Sequence, residues 1–207
     1  MKKNLIRRTA LVVTAGAASL VLAACGSSGD TSGGHDGHGS SSSASSSAPA
    51  SQGRHNAADV AFAKGMIPHH RQAVEMADLA PGRAEATEVK KLADQIKMAQ
   101  DPEIKTLSGW LTSWGEQVPA EGAMDHSMHG TGGMMTPEEM DSLKQASGKA
   151  FDTAFMEMMI QHHEGAVAMA QTEKADGAFP DTQKMADAII TSQTAEIARM
   201  NGLLGKS

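Results

Sequence analysis

Met159-Ile160-Gln161-His162-His163 decides the reading of this chain, because ninety-three positions earlier it reads Met66-Ile67-Pro68-His69-His70. The register holds without a gap from Asp59 against Asp152 to Leu111 against Leu204, and 20 of the 53 paired positions are identical. The identities include Asp59/Asp152, Phe62/Phe155, Met66/Met159, both histidine pairs, Ala73/Ala166 and Met76/Met169. Further on they include Gln100/Gln193, Glu103/Glu196, Ile104/Ile197 and Leu111/Leu204. So long an ungapped match is an internal duplication rather than a coincidence of composition.

Each copy reads as a helical hairpin. From about Ala57 to Ala80, Phe62, Met66, His69, Ala73, Met76, Ala77 and Ala80 recur at three- and four-residue steps and fall on one helical face. His69 and His70 flank that stripe, with Met66 between them one turn earlier. Pro68 should kink this helix just before the histidines, and Pro81-Gly82 should stop it. A second helix is expected from about Ala84 to Trp114, broken at Asp101-Pro102, with Trp110 and Trp114 packing its end. Thr136-Pro137-Glu138-Glu139 is a capping box that starts a short helix running to about Ser147-Gly148. The second copy then repeats the pattern, from Lys149 or Asp152 to about Ala175 and from about Asp181 to Leu204. Two duplicated hairpins bury their apolar stripes best as an all-α four-helix bundle. In an up-and-down arrangement, the two histidine helices should run parallel at opposite corners, their Met-x-x-His-His motifs at one height.

What surrounds the bundle places the protein outside the cytoplasm. Lys2, Lys3, Arg7 and Arg8 precede a short apolar run, and Leu22-Ala23-Ala24-Cys25 closes it like a bacterial lipobox. Residues 1–25 are therefore expected to be a lipoprotein signal peptide, with Cys25 lipidated and anchoring the chain to the bacterial cell membrane. Residues 26–55 are Ser, Gly and Ala with almost no hydrophobes, a flexible tether. Residues 56–207 form the bundle. The only cysteine is accounted for by the anchor, so no thiolate site remains, and a net charge of -6 argues against a nucleic-acid partner.

Methionine, at 15 residues, and histidine, at 9, dominate a chain that has no tyrosine. Between the copies, loop 122–135 gathers Met124, His126, Met128, His129, Met134 and Met135 among glycines. Glycines there should deny the loop a core role and keep the thioethers accessible, so that metal capture explains it better than packing. Thioether sulfur is soft and selects Cu(I) or Ag(I), whereas imidazole accepts both Cu(I) and Cu(II). The Glu-x-x-His of a di-iron bundle and the His-Glu-x-x-His of a zinc protease are missing, and no nucleophile triad stands out. Met76 and Met169 read as core, and Met98, Met185 and Met200 more so.

Phe-x-x-x-Met-Ile-x-His-His-x-x-Ala-Val-x-Met-Ala, at Phe62–Ala77 and again at Phe155–Ala170, resembles the exported bacterial family known as domain of unknown function 305. The resemblance covers approximately residues 56 to 205. It implies a ferritin-like bundle, and at least one periplasmic member of that family binds copper and is linked to copper resistance. Carried over by position, it implies Met66, His69, His70, Met159, His162 and His163 as metal ligands. The expectation is a lipid-anchored, extracytoplasmic copper protein, not an enzyme, that prefers Cu(I), accepts Cu(II), and stores the ion or passes it to a partner. Two other classes remain open: a metal-dependent oxidase on the same bundle, and a lipoprotein adaptor whose Met and His merely pack.

Overall fold

The computed structural model describes residues 54–121 and 132–206. The expected signal peptide with Cys25 and nearly all of the expected tether lie outside the described residues, as do Met124, His126, Met128 and His129 of the loop. The described elements are α1 (Ala57–Arg83), α2 (Thr87–Ser113), α3 (Pro137–Gln145), α4 (Gly148–Asp176) and α5 (Pro180–Leu203). No described helix is long and apolar enough to cross a membrane.

Helix starts follow their caps. Asn56 accepts from the backbone N–H groups of Ala58 and Asp59, while Asp59 accepts back from Asn56 N–H at 2.6 Å. Thr136 and Glu139 form the same reciprocal box ahead of α3, with Pro137 at the first helical position. Two expected breaks do not occur. Pro81 lies within α1, which runs on to Arg83; the last turn still closes because Ala84 N–H donates to Ala80 O at 2.9 Å. Pro102 lies within an unbroken α2. It frees one carbonyl, that of Met98, a residue on the solvent face of the helix, while buried Leu92, Ile96, Leu107 and Leu111 hold both halves to the core.

The arrangement of the two copies differs from the expected one. α1 packs on α2, α4 on α5, and α1 directly on α4. The histidine helices are therefore neighbours, not opposite corners, and they run antiparallel. The start of α1 meets the end of α4, where the Asn56 amide donates to Asp176 O, and the end of α1 meets the start of α4. Two duplicated aspartates enforce this. Asp59 accepts from Ala178 N–H and Phe179 N–H, whereas Asp152 accepts from Glu85 N–H and Ala86 N–H. Glu85 and Ala86 are the counterparts of Ala178 and Phe179, so the copies exchange equivalent bonds across a pseudo-two-fold axis.

One apolar cluster joins the later half of α1 to the first half of α4, with Leu92, Ile96, Leu143, Phe151, Phe155 and Met200. The other joins the first half of α1 to the later half of α4, with Phe62, Ile67, Leu107, Leu111 and Ile189. Burial of this kind yields roughly 25 cal/mol per Å² of apolar surface and holds the four long helices together. Trp110, Trp114 and Phe179 close one end edge to face, with His55 stacked on Trp114 at 4.5 Å. The four histidines fall in the layer between the two clusters.

Candidate metal centre

His69 and His162 are duplicate positions, and the two-fold crossing of α1 and α4 brings their rings together with centroids 3.7 Å apart. His70 and His163 lie 6.5 and 6.4 Å from their chain neighbours' rings. All four imidazoles are buried. Met66 and Met159 are fully buried too, but in different places: Met66 belongs to the cluster at one end and Met159 to the cluster at the other.

Three of the histidines have a partner on Nε2. His70 Nε2 stands 2.7 Å from a Glu103 oxygen and His163 Nε2 stands 2.6 Å from Glu196. His69 Nε2 stands 2.6 Å from the carbonyl of Gly132. Carbonyls and ionised carboxylates only accept, so each Nε2 carries the hydrogen and each Nδ1 keeps a lone pair. Those three Nδ1 atoms, which carry the lone pair when the ring is neutral, have no partner, and in His162 neither nitrogen has one. Five unpartnered ring nitrogens thus lie in one buried layer. A buried polar group left unpaired costs about 1–3 kcal/mol, a cost that a bound cation would remove. An imidazole that gives its other N–H to a carboxylate or backbone carbonyl is also the usual form of a metal-ligating histidine.

Charge state agrees with that use. Burial holds His69 down at about 3, helped by the neighbouring His70 and His163 and only partly opposed by the Gly132 carbonyl. Burial and the other three histidines hold His162 well below the ordinary imidazole value. Both rings are neutral at pH 7 and keep lone pairs to give. Among the described residues, no three His, Asp or Glu side chains already converge as a ligand set. Thioether ligands or small ring rotations would have to complete the coordination.

Glu103 and Glu196 belong to the site and were not singled out by the sequence; their identity in both copies, thirty-three positions after His70 and His163, was the available signal. Gln100 and Gln193, one turn earlier on the same helices, are buried with unpartnered side-chain oxygens. Of the loop residues, Met134 is half-buried, and Met135 contradicts the expected accessibility. Met135 is only 2% exposed and packs in the core, its backbone bonded at both N–H and C=O to the Gln72 side chain. The glycines bring the end of the loop onto the bundle instead of holding it away. Met76 is fully buried and Met185 packs on the core, as read from the sequence, whereas Met98 is 70% exposed.

Comparison with known proteins places this architecture. No curated protein matches the chain. A DUF305 protein from Streptomyces coelicolor superposes with a TM-score of 0.65 at 33% identity, covering 72% of this chain and 93% of that one. A DUF305 fragment from Deinococcus radiodurans gives 0.65 at 29% identity, over 73% of this chain and 98% of that one. CopM in its Cu(II)-bound form gives 0.62 at 40% identity, over 70% of this chain and 94% of that one. CopM has also been solved with Cu(I) and with silver. The family model described as "Domain of unknown function (DUF305)" matches residues 59–204, and the chain belongs to that family.

Proposed function

We propose that this protein is an extracytoplasmic copper-binding lipoprotein that holds copper at the junction of its two copies and buffers it or passes it on. The observation that carries the reading is the buried layer of four histidines with five unpartnered ring nitrogens. Likeness to CopM, solved with Cu(I), Cu(II) and silver, supports copper as the cargo. The Nδ1 atoms of His69, His70 and His163 are the ligand atoms, either nitrogen of His162 serves, and the thioethers of Met66 and Met159 favour Cu(I). Loop residues Met124, His126, Met128, His129 and Met134 act in capture, and lipid on Cys25 holds the chain at the membrane.

The test is an anaerobic Cu(I) titration of the full-length chain against a chromogenic chelator, repeated on His162→Ala/His163→Ala and on a variant lacking residues 122–131. Tight binding that survives the loop deletion and is lost with the histidines is the expected result. Unchanged binding in the double histidine variant would remove the bundle site. Steady oxygen consumption with Cu(I) in a parallel aerobic assay would point to the oxidase instead, and no binding in any redox state to the adaptor.

A further inference from the structure

Gly132–Met135 crosses the histidine layer as a strap, and two positions that the duplication makes equivalent have diverged to hold it. Position 72 of the first copy corresponds to position 165 of the second; one is glutamine and the other glycine. The Gln72 amide donates to Met135 O at 2.8 Å, and its carbonyl accepts from Met135 N–H at 2.7 Å. Gly165 leaves room on the opposite helix: a Cβ there would overlap the Gly132 carbonyl. Gly132 and Gly133 have φ of 107° and 70°, and a Cβ on Gly133 would overlap the Gln161 carbonyl. Glycine in the middle of a helix such as α4 is unfavourable relative to alanine, so its place at 165 is explained by what lies against it.

We propose that the strap is a positioning element of the metal centre: Gln72 and Gly165 seat the Gly132 carbonyl on His69 Nε2, which fixes His69 with its Nδ1 lone pair free for copper. The strap crosses the pseudo-two-fold axis once, so His162, the mate of His69, receives no such partner. The two central histidines are thereby made unequal. His69 is a pre-set ligand, and His162 an adaptable one that can present either nitrogen. Gln72 and Gly165 touch no metal and act through Gly132. The copper consequence rests on the proposed function; the tautomer of His69 does not.

Two measurements on the full-length chain test this, each on the wild type, Gly165→Ala and Gln72→Ala. The first is nitrogen-15 NMR of the histidine rings in the metal-free protein. His69 is expected as the Nε2–H tautomer in the wild type and as a mixture in both variants, with helical content unchanged. The second is Cu(I) affinity by chelator competition, expected to fall 10- to 100-fold in both variants, the range seen when outer-shell partners of metal-binding histidines are lost. A wild-type His69 carrying its proton on Nδ1 would overturn the proposal without recourse to any variant. Folded variants that keep the Nε2–H tautomer, or that lose it yet bind Cu(I) as tightly as the wild type, would also overturn it. A wild type with the expected tautomer and no Cu(I) binding would instead sink the copper reading and leave the positioning of His69 standing.

Discussion

His70 and His163 each donate a hydrogen bond to a glutamate from the second helix of their own copy, and that pairing sets what single substitutions do. Glu103→Gln and Glu196→Gln keep the shape of the contact but weaken the pull on the imidazole. Each should lower Cu(I) affinity by about 10- to 100-fold in a competition titration; an unchanged affinity in both would take these carboxylates out of the site. Glu173 is a second residue whose charge is set by its place. It is buried beside Asp59 and Thr182, and burial, only partly opposed by the Thr182 hydroxyl and reinforced by the Asp59 carboxylate, raises it to about 7. Asp59 goes the other way, to about 2: burial opposes its charge, but bonds from Thr182, Asn56 and Phe179 outweigh that. Because the folded Glu173 holds its proton longer than the unfolded one, its contribution is full below about 4.5 and is lost as pH rises to about 7. Glu173→Gln should therefore raise the melting temperature at pH 8 by a few degrees and change it little at pH 4.5; a lower melting temperature at pH 8 would refute this. The histidines were legible in the sequence because they are adjacent, duplicated and on a helical stripe. Their glutamates were not, since only the packing of one helix on another turns a separation of thirty-three residues into a hydrogen bond.

At the scale of elements, proline is the test case. Pro102 sits inside a continuous α2, and its duplicate is Ala195. Proline in a helix interior is disfavoured by about 3 kcal/mol relative to alanine, part of which the solvent-facing Met98 carbonyl already recovers. Pro102→Ala should stabilise the chain by about 1–3 kcal/mol in urea unfolding, and a loss of stability would mean that the proline serves a purpose of its own. Apart from the break expected at Asp101-Pro102, the approximate limits of the helices and the capping box at Thr136 could be read from periodicity and end signals. The direction of α4 relative to α1 could not. Duplication says that two segments are alike without saying whether a translation or a two-fold rotation relates them. Here the choice falls to Asp59 and Asp152, which cap the turn of the other copy. Their identity was visible, but their partners, 119 and 67 positions away, were not. Met135 was misread for a related reason: glycines that suggest an exposed loop also permit the closest approach to a helix.

For the whole molecule, the histidine layer is a stability cost that metal would offset. His69 at about 3 and His162 well below its ordinary value stay neutral when folded, whereas in the unfolded chain they take up protons near 6.5. Both groups are depressed by folding, so the stability they leave intact above 6.5 is lost as pH falls from there toward 3. In the Glu173→Gln background, which removes the opposing carboxyl, unfolding free energy of the metal-free protein should decline steadily from pH 7 to pH 4 in urea titrations. A flat profile would contradict the burial of these rings. Saturating copper should raise the transition at pH 7, by an amount that grows with the logarithm of free copper over its Kd. The reciprocal aspartate caps carry one last consequence. Equivalent bonds exchanged across a two-fold axis are the geometry of an isologous homodimer, one hairpin per subunit. In such a dimer every substitution is made twice, and a glutamine clamp could never stand opposite a glycine cradle. With both hairpins in one chain each half can differ from the other, and that independence is what allows Gln72 to stand opposite Gly165.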